Sequence, residues 1–241
     1  MKGIILSGGR ATRLRPCTKV TSKGLLPIYN RPMIYYPLNT LLKAGITDIL
    51  IIVGPEHAGQ YLNLLGSGAE FGARLTYEIQ DEPRGLADAF IIGETFVGDD
   101  DVAMILGDNI FADDVSQEIK TFKSGAKIFA KAVPDPERFG VVEINSEGKA
   151  VSIEEKPKAP KSNLCITGLY VYDNRVIEIA KHVQPSERGE LEITDLHNWY
   201  LKQGELEVAM IENEWIDAGT FDSLLEAQNL AKTKLQKNMI I

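Results

Sequence analysis

Gly3-Ile4-Ile5-Leu6-Ser7-Gly8-Gly9 opens the chain with an apolar run that ends in a glycine turn. A short, unbroken apolar run followed by glycines predicts a strand at residues 3–6 that is buried on both faces of a sheet. Residues 49–53 and 102–106 have the same character, and segments with helical spacing of apolar residues, 33–43 and 86–96, precede them. Buried strands that alternate with helices predict an α/β fold with a mostly parallel central sheet flanked by helices.

The rest of the chain continues this alternation and becomes richer in strands. The periodicity predicts helices at residues 61–65, 176–183, 193–202 and 221–237, and strands at residues 74–80, 127–133, 141–145, 150–154 and 164–172. No internal repeat, low-complexity segment or linker rich in Pro, Gly and Ser divides the sequence. We therefore predict a single domain over residues 1–241.

The composition limits the classes of protein to which the chain can belong. Of its 241 residues, 44% are hydrophobic and 25% are charged, and the net charge is −8. These values are typical of a folded domain and argue against disorder and against binding to a nucleic acid polymer, which usually requires a basic excess. No apolar run is long enough for a membrane span or a secretory signal, and Cys17 and Cys165 form no metal or redox motif. We therefore expect a cytoplasmic protein that binds no membrane.

The basic residues are concentrated at the N-terminal end. Eight basic residues and no acidic residue precede Asp48, whereas the remainder of the chain contains 18 basic and 34 acidic residues. Five of these cations surround the glycine turn: Arg10, Arg13, Arg15, Lys19 and Lys23. Exposed backbone N–H groups and nearby cations favour an anion, most simply a polyphosphate, over a solvated basic loop. The turn has neither the Walker A spacing nor the G-x-G-x-x-G pattern.

Longer blocks of sequence carry a family resemblance. They are Gly8-Gly9-x-Ala11-Thr12-Arg13-Leu14-x-Pro16, Ser22-Lys23-Gly24-Leu25-Leu26-Pro27, Leu106-Gly107-Asp108-Asn109, Glu154-Glu155-Lys156-Pro157, Arg188-Gly189-Glu190-Leu191-Glu192-Ile193-Thr194-Asp195 and Trp215-Ile216-Asp217. In this order they resemble the sugar-1-phosphate nucleotidylyltransferases over nearly the whole chain. The resemblance implies a Rossmann-like, GT-A-like nucleotidyltransferase fold, with a nucleotide-binding half at residues 1–110 and a sugar-phosphate-binding half at residues 111–241.

The resemblance also implies a reaction. The branch of the family that this sequence resembles most transfers a nucleotidyl group from dTTP to glucose-1-phosphate and forms dTDP-glucose and pyrophosphate. An oxygen of the sugar phosphate attacks the α-phosphate in line, with Mg²⁺ as the cofactor. Because that oxygen is already anionic, no general base is needed, and we expect the three histidines to be structural. Arg13 and Lys23 are implied as the catalytic residues that neutralise the phosphates.

The binding residues follow from the same resemblance. The nucleotide is expected to contact Leu6, Gly8, Gly9, Ala11, Thr12, Arg13, Gln80, Gly85 and Asp108. The sugar phosphate is expected to contact Asn109, Gly140, Glu155, Lys156, Ile166 and Tyr170. At Gln80, the side-chain amide offers a donor and an acceptor together, which matches the N3–H and O4 edge of thymine or uracil.

Two carboxylates are implied as ligands of the metal. Asp108 and Asp217 match the family's metal-binding positions, and Mg²⁺ prefers carboxylate oxygens together with phosphate oxygens and water. From the residues alone, Asp108 could equally form a turn, and Asp217 could equally lie near the start of a helix.

Three features depart from the family pattern. Ala11 stands where glycine is usual, which predicts a slightly stiffer loop. Gly24 stands where glutamine is usual, which predicts the loss of a side chain near the nucleotide and leaves dTTP and UTP as alternatives. The chain ends soon after Asp217, so we expect a short form, to which the feedback inhibition and tetramer geometry of longer members cannot be carried over.

Several functions remain as alternatives at this point. In the same class are a UTP-dependent enzyme that forms UDP-glucose and an enzyme for another hexose-1-phosphate. In other classes are a non-catalytic regulatory subunit that binds a sugar nucleotide and a simple nucleotide-binding module. The chain retains all five charged residues that the family's chemistry needs, which favours an enzyme: Arg13, Lys23, Asp108, Lys156 and Asp217. Assembly into a homo-oligomer is open.

Overall fold

The computed structural model describes residues 1–235 and 239–241. The strands are β1 (Lys2–Ser7), β2 (Pro27–Ile28), β3 (Arg31–Pro32), β4 (Asp48–Val53), β5 (Arg74–Ile79), β6 (Val102–Leu106), β7 (Asn109–Phe111), β8 (Ala126–Ala132), β9 (Gly140–Ile144), β10 (Ala150–Glu155), β11 (Leu164–Tyr172), β12 (Leu206–Met210) and β13 (Trp215–Asp217). The α-helices are α1 (Tyr35–Lys43), α2 (Ala58–Leu65), α3 (Asp88–Ile92), α4 (Glu94–Val97), α5 (Ser116–Lys120), α6 (Arg175–His182), α7 (Ile193–Gln203) and α8 (Phe221–Leu230). None of these helices is long and apolar enough to cross a membrane.

A nine-stranded sheet forms the centre of the molecule. Its main path has the order β10-β9-β11-β6-β1-β4-β5, and β8 and β12 extend it from β11. The strands β6, β1, β4 and β5 are parallel, and β12 is parallel to β8. Antiparallel pairs join β11 to its neighbours β6, β8 and β9, and β10 to β9. The expected α/β class with a large central sheet is therefore confirmed.

Both faces of this sheet are covered by helices. Ile4 and Leu6 pack with residues of α3, α4, α6 and α7, whereas Ile5 packs with residues of α1, α2 and α5. Successive side chains of a strand point to opposite faces of the sheet. Alternate residues of β1 therefore pack into the hydrophobic cores on the two faces, and this requires an unbroken apolar run. The continuous hydrophobic runs in the sequence thus mark strands in the middle of the sheet. All predicted strands are present, each within one residue at either end.

Two of the predicted helices differ in character, and two others differ in their first residue, since α1 begins at Tyr35 rather than at residue 33 and α2 at Ala58 rather than at residue 61. The helix predicted at residues 86–96 consists of two short helices, α3 and α4, because Gly93 ends the first with a bond from its N–H to the Ala89 carbonyl and caps the second. The helix predicted at residues 221–237 is α-helical as far as Leu230 and continues as a π-helical turn over Ala231–Leu235. Residues 236 and 237 of that prediction lie outside the described residues.

The sequence did not predict four short strands, β2, β3, β7 and β13, or the edge strand β12. The antiparallel ribbon of β7 and β13 pairs Asn109 with Asp217, and the ribbon of β2 and β3 lies between the N-terminal loop and α1. Strand β12 joins the sheet beside β8. The β7–β13 ribbon brings two distant segments of the chain together next to the end of β6.

Candidate active site

A cavity of about 620 Å³ lies where β1, β5 and β6 end, and residues of β9, β10 and β11 also line it. Ligands of open α/β sheets bind beyond the carboxyl ends of parallel strands, and pockets of this volume are typical for small molecules. Fifteen of the predicted residues line the cavity: Leu6, Gly8, Gly9, Arg13, Lys23, Gln80, Gly85, Asp108, Asn109, Gly140, Glu155, Lys156, Ile166, Tyr170 and Asp217. The cavity therefore collects nearly the whole predicted set from distant parts of the chain.

Ala11 and Thr12 are the two predicted residues that do not line the cavity. Ala11 has a positive φ of 42°, and its carbonyl accepts a hydrogen bond of 2.8 Å from the Thr18 hydroxyl. A short 3-10 turn follows over Thr12–Leu14. Arg13 in this turn lines the cavity, whereas Thr12 at its start and Ala11 before it do not. A left-handed conformation suits glycine better than alanine, so the position that the sequence marked as unusual is also a strained one.

The two expected metal ligands lie side by side. Asp108 follows β6, and the β7–β13 ribbon places Asp217 beside it, with the Ala218 N–H donating to the Asp108 carbonyl at 2.9 Å. The two carboxyl groups are within hydrogen-bonding range of each other. The Lys23 ammonium donates to the carboxylate of Asp108. The sequence analysis assigned Asp108, Asp217 and Lys23 to the site, and the fold places them next to one another.

Burial and mutual repulsion determine the charge of this cluster. Burial and the neighbouring Asp108 carboxylate raise the pKa of Asp217 above its ordinary value. Burial also opposes the charge on Asp108, but Lys23 and the hydrogen bonds to that carboxylate outweigh it and lower its pKa. For Lys23 the cost of burial is exceeded by attraction to both carboxylates, so its pKa is raised. Two adjacent acids, one of which resists ionisation, mark a place where a further cation is favoured.

This donor set fits Mg²⁺. Proteins bind that ion through one or two carboxylates and leave the other positions to water and substrate phosphates, and Asp108 and Asp217 provide two such groups at a cavity. Among the described residues there is no cluster of three or more His, Cys, Asp or Glu side chains that could hold a metal by itself. A cation at this position would therefore complete its coordination with oxygens from water or from the substrate.

An asparagine holds the carboxylate cluster in place. The side-chain amide of Asn109 donates to Asp108 at 3.1 Å, and its oxygen accepts from the Gly168 N–H at 2.8 Å and from the Trp215 indole at 2.7 Å. Asn109 lines the cavity but is only 2% exposed. We expected it to contact the sugar phosphate, and the structure shows a side chain already engaged in orienting Asp108.

Gln80 and Gly85, which are expected to contact the nucleotide, line the cavity beyond the end of β5. Gln80 directly follows β5, and its amide donates to the buried carboxylate of Asp88 at 3.0 Å. Gly85 has a φ of 115°, and a Cβ atom there would lie 2.4 Å from the Leu191 carbonyl oxygen. Only glycine can occupy this position, because both the backbone conformation and the neighbouring main chain exclude a side chain. Gly85 thus joins the Gln80 loop to the segment that precedes α7.

Glu155 and Lys156 stand at the end of β10. The Lys156 ammonium lies 3.7 Å from the Glu155 carboxylate, and Lys156 has a positive φ of 44°. Burial raises the pKa of Glu155, in spite of the cations around it. Positive φ at a non-glycine residue stores strain that is usually retained for a functional reason, here a turn that brings two adjacent charged side chains to the cavity.

A second cation at this end was missed as a site residue. Arg188 lines the cavity and forms ion pairs with Glu155 at 3.2 Å and with Glu192 at 2.7 Å. It belongs to the Arg188-Gly189-Glu190-Leu191-Glu192 block that carried the family resemblance, to which we gave no role. The signal was a run of alternating charges in a loop, and such a run alone is equally typical of a solvated surface. Arg138, Phe139 and Thr194 also line the cavity and were not predicted.

Gly24 does not have the effect that we expected. It is buried and lies outside the cavity wall, and a Cβ atom there would lie 2.4 Å from the Tyr61 hydroxyl and 2.6 Å from the Ser7 hydroxyl. Tyr61 and Ser7 are themselves hydrogen bonded at 2.6 Å. The glycine therefore accommodates a tyrosine beneath the loop and opens no space for the nucleotide.

The model of the nucleotidyl transferase family matches residues 2–234 of the sequence. The chain belongs to this family. The resemblance drawn from the motifs is thereby confirmed, and the cavity lies within the matched residues.

Named relatives within the nucleotidyl transferase family are similar over most of their length. The chain is 53% identical over 239 residues to the glucose-1-phosphate thymidylyltransferase of Neisseria meningitidis serogroup A, covering 97% of this chain and 83% of that one. It is 51% identical over 238 residues to the enzyme of the same name from Mycobacterium tuberculosis, with the same two coverages.

Solved structures of nucleotidyl transferases are similar as well. A Bacillus anthracis protein assigned as a glucose-1-phosphate thymidylyltransferase, crystallised with sucrose, superposes with a TM-score of 0.91 at 51% identity and covers 97% of this chain and 96% of its own. A UDP-glucose pyrophosphorylase in complex with UDP-glucose superposes with a TM-score of 0.84 at 25% identity, with coverages of 97% and 98%.

Proposed function

We propose that this chain transfers a thymidylyl group from dTTP to glucose-1-phosphate and forms dTDP-glucose and pyrophosphate. The observation that carries the proposal is a single cavity with two sets of charged groups. Arg13, Lys23 and the carboxylate pair come from the ends of β1, β6 and β13 and the loops after them, and Glu155, Lys156 and Arg188 come from the other half of the chain. The relatives at 53% and 51% identity bear the name of this activity.

The charged groups suit a reaction between two phosphates. An oxygen of the sugar phosphate forms a bond to the α-phosphorus, and the bond from that phosphorus to the bridging oxygen of the leaving pyrophosphate breaks. Arg13 and Lys23 offset the negative charge of the triphosphate, because a guanidinium and an ammonium are the usual partners of phosphate oxygens. Mg²⁺ held by Asp108 and Asp217 would supply further neutralisation of the phosphates.

The remaining residues hold the acceptor and the base. We assign the sugar phosphate to Lys156 and a sugar hydroxyl to Glu155, whose carboxylate accepts hydrogen bonds. We assign the thymine edge to Gln80 and the adjacent backbone at Gly85. We also propose that residues 1–110 form the nucleotide half and residues 111–241 the sugar-phosphate half of one domain, and that the protein acts in the cytoplasm.

The decisive experiment is pyrophosphate release over a grid of substrates. The purified chain is incubated with Mg²⁺, one of dTTP, UTP and dCTP, and one of glucose-1-phosphate, galactose-1-phosphate and mannose-1-phosphate. We expect the highest kcat/KM with dTTP and glucose-1-phosphate, and loss of activity in excess EDTA with recovery on addition of Mg²⁺. A preference for UTP would establish the UDP-glucose alternative. Release of no pyrophosphate from any pair, with sugar nucleotide still bound, would establish a non-catalytic subunit.

A further inference from the structure

The amide and the backbone of Gln80 are held by hydrogen bonds within the protein. Its Nε2 donates to Oδ2 of Asp88 at 3.0 Å, and both side chains are buried, with Gln80 6% exposed and Asp88 fully enclosed. The backbone N–H of Gln80 donates to the Val53 carbonyl at 2.8 Å, which continues the pairing of β5 with β4 beyond its last strand residue. Backbone and side chain are therefore both held at this position.

The chemistry of Asp88 determines which way the amide faces. An ionised carboxylate only accepts hydrogen bonds, so the NH₂ group of Gln80 must be the part that faces it. The oxygen is then directed away, and it lies beside Gly8, so close that a Cβ atom on Gly8 would be 2.6 Å from it. Gly8 and Gln80 are both part of the cavity wall.

Arg84 keeps the carboxylate of Asp88 in its position. Its Nη2 donates to Oδ1 of Asp88 at 2.7 Å, while Gln80 occupies Oδ2. The Arg84 side chain is 58% exposed, whereas that of Asp88 is 1% exposed, so the guanidinium covers the acid from the solvent side. Each oxygen of Asp88 thus has a different donor, and a rotation of the carboxylate would break both bonds.

We infer that Asp88 is a positioning residue that sets the preference of the site for a base with an N–H at its pairing edge. Thymine and uracil carry N3–H, which the Gln80 oxygen can accept, and the second N–H of the amide remains for a base carbonyl. Cytosine has an unprotonated N3 and an amino group, which would require the opposite orientation of the amide. This inference rests on the proposed function, because it assumes that Gln80 meets the base.

The test is Asp88→Asn, which keeps the volume and replaces a pure acceptor by a group that can also donate. Either orientation of the Gln80 amide is then satisfied, so the ratio of kcat/KM for dTTP over dCTP should fall by roughly 10- to 100-fold, the usual effect of one hydrogen bond to a charged group. The ratio of dTTP over dUTP should not change, because both bases carry N3–H. The KM for glucose-1-phosphate should also remain at the wild-type value.

Matched variants separate orientation from general damage. Glu82→Gln removes a carboxylate from an exposed position of the same loop and should leave the dTTP over dCTP ratio unchanged. Gln80→Ala should lower that ratio, and adding Asp88→Asn to it should have no further effect, because no amide remains to be oriented. Arg84→Ala, at a largely exposed side chain, should lower the dTTP over dCTP ratio by a smaller factor. If Asp88→Asn does not fold, the inference is tested with Arg84→Ala instead.

Two outcomes would overturn the inference. One is a dTTP over dCTP ratio within twofold of wild type in Asp88→Asn, or in Arg84→Ala if only that variant folds. The other is an equal loss when Asp88→Asn is added to Gln80→Ala, since that would show a disturbance unrelated to the amide. A wild-type protein that turns over neither dTTP nor UTP would instead refute the proposed function.

Discussion

Replacement of His197 by phenylalanine should change how the stability of the protein depends on pH. His197 lies in α7 and is completely buried, with its ring stacked on Tyr172 at a centroid distance of 5.9 Å and an interplanar angle of 14°. Neither ring nitrogen has a hydrogen-bond partner among the described residues. Phenylalanine preserves the aromatic contacts and removes the two buried nitrogens, so at pH 7.5 the variant should be at least as stable as the wild type.

The size of the effect follows from the pKa of the imidazole. Burial lowers the pKa of His197 from 6.5 to about 3. Between these values the unfolded chain binds a proton that the folded chain does not, so the free energy of unfolding decreases as the pH falls through this window. The limiting slope is about 1.4 kcal/mol per pH unit. With these pKa values, the loss between pH 7.5 and pH 5 is about 2 kcal/mol.

Urea unfolding of wild type and His197→Phe at pH 7.5, 6.5 and 5.0 measures this difference. Carboxylates shared by both proteins affect both curves equally, so only the difference between the two free energies is compared. That difference should shift by about 2 kcal/mol in favour of the variant between pH 7.5 and pH 5. His182→Gln, at an exposed histidine, is the control for loss of one imidazole and should not reproduce the shift. A difference that is equal at all three pH values would refute the reasoning.

Three further predictions address the cavity and its loop. Asp108→Asn should lower kcat by about 100-fold or more while the protein stays folded, because it removes charge at the proposed metal site but little volume; full activity in excess Mg²⁺ would contradict the assignment. Lys156→Ala should raise the KM for glucose-1-phosphate far more than the KM for dTTP, whereas Lys158→Ala, at an exposed neighbour, should change neither; an equal rise in both values would contradict the role. Ala11→Gly should raise the free energy of unfolding by roughly 0.5–1 kcal/mol, because φ at this residue is 42°; a less stable variant in urea unfolding would show that the left-handed backbone is not a cost.

The strands that were predicted from the sequence each have a local signal. Apolar runs such as Ile49–Val53 occupy the interior of a parallel sheet, where both faces are covered, so every side chain in the run is apolar. The short strands β7 and β13 have no such signal, because three residues give too few alternations to show a period. Their pairing depends on a contact between Asn109 and Asp217, which no local pattern can reveal.

The sequence predicted site residues only where their residue types or the family motifs indicated a role. Asp108 and Asp217 were assigned as a pair through the resemblance, and their contact is a property of the fold. The role that we propose for Asp88 could not be anticipated, because a lone acid at the start of a helix is typical of helix capping and of dipole compensation. Its significance comes from complete burial next to Gln80, and burial of a charged group is not visible in a sequence.

The charge distribution gains a mechanistic meaning once the fold is known. The basic N-terminal segment provides Arg13 and Lys23, and the acidic remainder provides Asp108 and Asp217, so the cations and the carboxylates lie next to one another in the same wall. Part of the positive charge is thereby already compensated within the protein. The phosphate oxygens of a triphosphate without a cation would be repelled by the carboxylates of Asp108 and Asp217. A divalent cation between the phosphates and the carboxylates would attract both. We therefore expect binding of the nucleotide and of the cation to be strongly coupled, with each raising the affinity for the other.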